Sequence, residues 1–308
     1  MTPPLALAVA ALLAAGTGQV PAYERSTAGE GLCQYWPDPA SPEVRSVPYE
    51  VGDPRATPAC RSGGDPVEAI RSAFDAWAAA SRSSASAPCT DMQLSFQGVT
   101  TATATGADGT NRIAIRRGPC SGSHSVVPPG APCIAAGTCA DDLGCWDHDQ
   151  LIALTTITYR VSTGAILDAD VEVNAGDGGD DDEGFLVTCV DPPAPACSEE
   201  RRTGCIGMDL RNTMTHEAGH FLGLSHSDLR ASTMFARATQ GETRKRFLSA
   251  DAVEGMCDIY PLGGAVKTCG SHAEGCSTVG AKDTWLGLAA LLALLLRRRP
   301  RQETTTPA

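Results

Sequence analysis

The stretch His216-Glu217-Ala218-Gly219-His220-Phe221-Leu222-Gly223-Leu224-Ser225-His226 gathers three of the chain's six histidines into eleven residues, which no packing requirement explains. His216 and His220 are four apart, so on a helix both imidazoles project from one face, one turn above the other. At that spacing two neutral imidazole nitrogens can reach a single tetrahedral zinc. Glu217 lies beside His216 and can lean toward the metal's open position. Gly223 can adopt the left-handed conformation that ends a helix, so the chain turns back and presents His226 as a third ligand. Three protein ligands plus a water is the arrangement of a catalytic zinc, whereas a structural site is closed. Such a site predicts Glu217 as the general base that takes the water's proton and passes it to a leaving amine.

Working outward, the helix that carries the histidines is expected to begin near Asp209 and run to about Leu222. Another should start at Ser249, a good cap, with Val253, Met256, Cys257 and Tyr260 on one face. Far upstream, Asp65-Pro66-Val67-Glu68 is a helix start in which Asp65 caps, Pro66 fits the first turn and Glu68 reaches back to the cap amide. Val67, Ile70, Phe74 and Trp77 then share a face directed at the core. Ser46 to Val51 reads as a strand, and Met92 to Phe96 and Asn111 to Ile115 read as half-buried strands. Leu151 to Val161 and Ile166 to Val173 are strand-like, with a turn at Ser162-Thr163-Gly164. There are too few helices among the strands for a doubly wound sheet, so the fold class is α+β.

The chain has 308 residues, 19% charged and 42% hydrophobic, which is the composition of a folded globule. A net charge of -12 excludes nucleic acid as a partner, since phosphate binding needs a basic face. Residues 1–22 read as a signal peptide, with an apolar run from Leu5 to Ala15 and a small-residue site ending at Val20-Pro21-Ala22. Thirteen cysteines in an exported chain imply a disulfide framework. Residues 23–45 form a polar, proline-rich lead-in, 46–262 the globular domain, and 263–284 a linker. Cys120, Cys133, Cys139 and Cys145 fall in a Gly- and Pro-rich insertion, and a second loop-rich insertion spans 175–208.

His-Glu-x-x-His-x-x-Gly-x-x-His resembles the metzincin signature, and Ser227 after the third histidine resembles its matrixin variant. Ser232-Thr233-Met234 is similar to the Met-turn of that family. The stretch from Leu248 through Gly255 to Tyr260 is similar to its C-terminal helix, and Ala69-Ile70-x-x-Ala73-Phe74-x-x-Trp77 to its first helix. The resemblance implies a metzincin-like twisted mixed sheet with three main helices and a catalytic zinc held by His216, His220 and His226. It further implies Met234 as a hydrophobic floor under the metal, substrate lying along an edge strand, and endopeptidase activity of a monomer on extracellular proteins or peptides. Ala236 stands where matrixins have proline, which implies a different wall to the specificity pocket. The family's inhibitory thiol-switch motif is absent. No histidine lies in 151–174, so a second, structural zinc would have to be built differently.

The run from Asp177 to Glu183 reads either as a solvated acidic loop or as a calcium site using Asp177, Asp180, Asp181 and Asp182, a hard cation being suited to carboxylates. Asp168, Asp170 and Glu172, alternating on one strand face, are a second calcium candidate. At the C-terminal end, Trp285 to Leu296 is an apolar run of twelve, too short for a bilayer core of about 30 Å. With Cys276 upstream and Arg297-Arg298-Arg299 downstream, it resembles the sorting signal known as MYXO-CTERM. That implies processing near Cys276, display on a bacterial cell surface, and membrane contact only through the signal. Loss of Cys276 would leave twelve cysteines, enough for six bridges. A different class of function, a zinc-stabilised adhesion or binding protein without turnover, would have no use for Glu217.

Overall fold

Four aromatic rings from distant stretches anchor the core: Tyr49 stacks on Phe74 at 4.3 Å, with Phe96 5.8 Å from Tyr49 and Phe221 5.3 Å from Phe74. The computed structural model describes residues 23–28, 31–38, 45–53, 60, 63–82, 87–102, 104–116, 145–146, 151–175 and 186–269. The signal segment, the cysteine-rich stretch 117–144, the acidic run 177–183, Cys276 and the C-terminal tail lie outside the described residues.

Strands β1 (Ser46–Gly52), β2 (Gln93–Thr100), β3 (Arg112–Arg116), β4 (Ala153–Tyr159) and β5 (Ile166–Asn174) form one sheet in the order β2-β1-β3-β5-β4. All neighbours are parallel except β4, which runs antiparallel to β5. Gly164, at φ 78°, makes the tight connection between β4 and β5. A short parallel pair, β6 (Val187–Thr188) and β7 (Met208–Asp209), leads into the histidine helix. The helices are α1 (Pro66–Ala78), α2 (Leu210–Phe221) and α3 (Ala250–Ile259), with a 3-10 turn at Arg244–Arg246. The expected α+β class, a mixed sheet with three helices, is what the chain adopts.

Helix α1 starts as its sequence dictates, with the Asp65 carboxylate accepting from the amides of Val67 and Glu68. Glu68 does not reach back to the cap. Its carboxylate accepts from Ser72 Oγ, one turn ahead, at 3.1 Å. Ile70, Phe74 and Trp77 are fully buried while Val67 stays half-buried at the rim. Trp77 also donates its indole N–H to the Thr215 carbonyl at 2.8 Å, which locks α1 against α2. Truncating a residue this deep removes about 3–5 kcal/mol of packing.

Three further sequence expectations need correcting. β3 is buried on both faces rather than half-buried, because it is the central strand. Its two arginines are tolerated there by pairing, Arg112 with Glu50 and Arg116 with Glu172. Of the face expected on α3, Met256, Cys257 and Tyr260 are buried, but Val253 is half-buried and Ala252 and Ile259 face the core instead. Ser249 does precede α3, but its hydroxyl makes no cap bond and accepts instead from the Thr233 amide.

The irregular lead-in is pinned to the domain. Trp36 donates its indole N–H to the Phe221 carbonyl, and Tyr260 donates its hydroxyl to the Leu222 carbonyl, each at 2.8 Å. Together they satisfy carbonyls left open where α2 ends. Disulfides join Cys33 to Cys269, Cys60 to Cys189, Cys89 to Cys257 and Cys197 to Cys205. The first of these closes the lead-in onto the chain that follows α3.

Candidate metal centre

Helix α2 begins at Asp209, whose carboxylate accepts from the Asn212 amide at 2.7 Å and is held by buried Arg246. His216 and His220 then project from one face, their ring centroids 4.8 Å apart. Gly223 ends the helix at φ 89°. Its amide donates to the His220 carbonyl and the Leu224 amide to the Gly219 carbonyl, the paired bonds of a Schellman cap. Beyond it the loop is clamped by the lead-in, Ser26 donating to the Gly223 carbonyl and Ser225 to the Glu24 carbonyl. This clamp was not read from the sequence, since residues 23–28 carry no motif. The turn delivers His226, and the three side chains bring ligand nitrogens within 4.8 Å of one another.

A Cβ at position 223 would be strained at that φ and would strike the Gln34 carbonyl. Gly223→Ala is therefore expected to cost about 1–2 kcal/mol from the left-handed backbone alone. It should also weaken zinc binding, read by thermal melting and chelator competition.

The imidazoles are oriented by main-chain carbonyls. His216 Nδ1 lies 2.8 Å from the Thr233 carbonyl and His220 Nδ1 2.8 Å from the Leu224 carbonyl. A carbonyl only accepts, so both Nδ1 atoms carry hydrogen and both Nε2 atoms offer lone pairs. Burial lowers the pKa of all three histidines, which keeps the rings neutral. His220 Nε2 and His226 Nε2 face each other at 3.1 Å. That contact is a hydrogen bond when His226 carries its proton on Nε2, and in the other tautomer both lone pairs converge on one cation. Zinc with Zn–N bonds of about 2.0–2.1 Å sets its tetrahedral ligand nitrogens about 3.3–3.4 Å apart, so the donor set fits that ion.

Met234 is buried and packs against Gly219, in the helix turn between His216 and His220. A Cβ at Gly219 would collide with the Met234 sulfur and with Trp77. The turn that carries Met234 is built from three hydroxyls. Ser232 Oγ donates to Asp251 of α3 at 2.6 Å and accepts from the Met234 amide, while Ser249 and Thr233 exchange backbone-to-hydroxyl bonds at 2.8 Å. Ser227, next to His226, donates its amide to the Met234 carbonyl at 2.9 Å. α3 thus fixes the turn, and the turn's Thr233 carbonyl fixes His216.

Glu217 is buried beside the histidines, and its carboxylate accepts from Thr155 Oγ1 at 2.7 Å. Burial pushes the Glu217 carboxyl up to about 7, while the Thr155 bond pulls it down. A divalent cation at the histidines would pull it down further. Thr155 sits on β4, and nothing in an ordinary strand sequence marks it. Thr155→Val keeps the shape and removes the bond, so kcat is expected to fall roughly ten- to hundredfold, the worth of one hydrogen bond to a charged group. Without that bond the carboxyl's pKa rises. The low-pH limb of the rate profile should therefore move upward, as kcat against pH would record.

These groups open onto a cleft of about 900 Å³. One wall is β4, an outermost strand whose far edge has no neighbour among the described residues. The lining also includes Asn212, Ala236, Arg237 and Lys245. Ala236, marked in the sequence as a departure, does line the cleft. Lys245, also unmarked, is 2% exposed and donates to the carbonyls of Phe235 and Arg237 at 2.5 and 3.0 Å.

The calcium candidates Asp177, Asp180, Asp181 and Asp182 lie outside the described residues. In the second set Asp168 Oδ1 is buried with no hydrogen-bond partner, while the other oxygens of Asp168 and Asp170 and the Glu172 carboxylate have protein partners. Asp168 and Asp170 accept from the amides of Gly106, Gly109 and Arg112, and Glu172 pairs with Arg116. Among the described residues the three histidines are the one cluster of metal-ligating groups.

No curated protein matches this chain. Residues 138–261 match the family model of the matrixins, a peptidase family. The matched stretch contains β4, β5, α2, the Met234 turn and α3, and with the histidine cluster it supports a matrixin-like zinc metallopeptidase.

Proposed function

We propose that the chain is a secreted or surface-anchored zinc-dependent endopeptidase that hydrolyses peptide bonds in extracellular proteins. One observation carries this reading: His216, His220 and His226 converge in an open cleft directly beside the buried carboxylate of Glu217. Zinc bound there supplies a Lewis acid for the scissile carbonyl oxygen and brings a water's pKa toward neutrality. Glu217 accepts the proton of the attacking water and delivers it to the departing amine nitrogen. Thr155 Oγ1 steadies that carboxylate, and the open edge of β4 can pair with the main chain of an extended substrate. A binding protein on the same scaffold gains nothing from Glu217, whose burial costs desolvation.

The disulfides support an oxidising compartment. No helix among the described residues is long and apolar enough to cross a membrane. Export by the 1–22 segment and display through a signal processed near Cys276 complete the proposal, with a single chain as the working unit. The test is cleavage of unfolded proteins by the zinc-loaded full chain, with products identified by mass spectrometry. Cuts at internal bonds are expected. Trimming only from chain ends would overturn the endopeptidase assignment.

A further inference from the structure

We infer that the wall of the cleft formed by Lys245 and Arg237 selects substrates with an acidic side chain next to the scissile bond, a specificity that rests on the endopeptidase reading. The chain carries a net charge of -12, yet the residues lining its cleft include one carboxylate, Glu217, and two cations, Arg237 and Lys245. The carboxylate is committed to Thr155 and to proton transfer, so the recognition wall itself is cationic. Lys245 is nearly inaccessible and lines the same cleft. Its ammonium has three N–H donors, of which the Phe235 and Arg237 carbonyls take two. The third has no partner among the described residues. Its backbone is equally fixed, the Lys245 amide donating to Asn212 Oδ1 at 2.7 Å. Asn212 lies one helical turn before His216, and the Lys245 side chain lines the same cleft, its charge acting on Glu217 and on all three histidines. Arg237 is exposed at the same wall and forms no ion pair among the described residues.

A buried ammonium with an unused donor favours a carboxylate over a neutral amide of the same shape. The charge-assisted bond both neutralises it and completes its hydrogen bonding. An apolar or basic side chain would leave that donor unmet, so discrimination comes from the penalty as much as from the gain.

The test uses the zinc-loaded full chain and paired peptides that differ only in Glu against Gln at each of the two positions flanking a cleaved bond. At one of these positions kcat/KM should favour Glu by roughly ten- to hundredfold, the worth of a hydrogen bond to a charged group. Lys245→Met should bring that ratio close to one, and Lys245→Arg should retain most of it. Were Lys245 only a brace for the Phe235 and Arg237 carbonyls, the Met variant would slow both peptides alike and leave the ratio unchanged. A wild-type ratio near one at both positions, or a preference that survives Lys245→Met, overturns the inference. Equilibrium binding of the same pairs to the Glu217→Gln variant needs no turnover and reads the preference separately. Tighter binding of the Glu peptide supports the inference even if no peptide is cut, an outcome that would sink the endopeptidase reading alone. Equal binding of the two overturns the inference even if both are cut. If Lys245→Met fails to fold, the wild-type ratio and the binding difference still decide.

Discussion

Replacing Glu217 by glutamine is expected to lower kcat by roughly 10²–10⁴, the range over which a positioned general base acts. Zinc should stay bound at one per chain. The substitution leaves the three imidazoles and their carbonyl partners untouched, and the amide oxygen can still accept from Thr155 Oγ1. Stability should hold or rise slightly, because a buried carboxyl whose ionisation burial disfavours becomes a neutral group of the same shape. Steady-state kinetics beside metal analysis separates the two effects. Turnover within a few-fold of the parent would show that Glu217 is not the base.

His226→Ala is expected to act on the metal itself. Removing a ligand should weaken zinc by more than the 10–100-fold typical of losing an outer-shell partner. The metal-free chain should hardly notice, since His226 is exposed and an exposed substitution usually stays within about 0.5 kcal/mol. The same change at His216 would be less clean, because that ring is buried and bonded to the Thr233 carbonyl. Chelator competition should therefore register a large loss while the melting temperature of the metal-free protein stays put. Unchanged zinc affinity would remove His226 from the site.

Local chemistry in this chain was legible, and distant chemistry was not. His216, His220, Gly223 and His226 could be placed from spacing alone because a helix and its cap are decided within a few residues. Asp65 and Asp209 could be placed for the same reason. Thr155 and Glu217 meet across 62 positions of sequence, and no periodicity records such a meeting. The clamp of residues 24–26 on the Gly223 loop was equally silent. Ser249 shows a local rule losing to a tertiary one: a good cap residue spends its hydroxyl on Thr233, because the turn beneath His216 needs it more. β3 was misjudged because its arginines look solvent-facing until Glu50 and Glu172 arrive from neighbouring strands.

The site is consequently a joint product of elements far apart in sequence. α3 braces the Met234 turn through Asp251 and Ser249, the turn aims His216, the lead-in holds the loop to His226, and β4 steadies Glu217. The most direct test of the account is peptide-library cleavage by the full chain, followed through removal of metal with a chelator and stepwise return of zinc. Cleavage should vanish on removal and return in proportion to zinc, saturating at one ion per chain. A chain that binds one zinc tightly and cuts no peptide at any stage would contradict it.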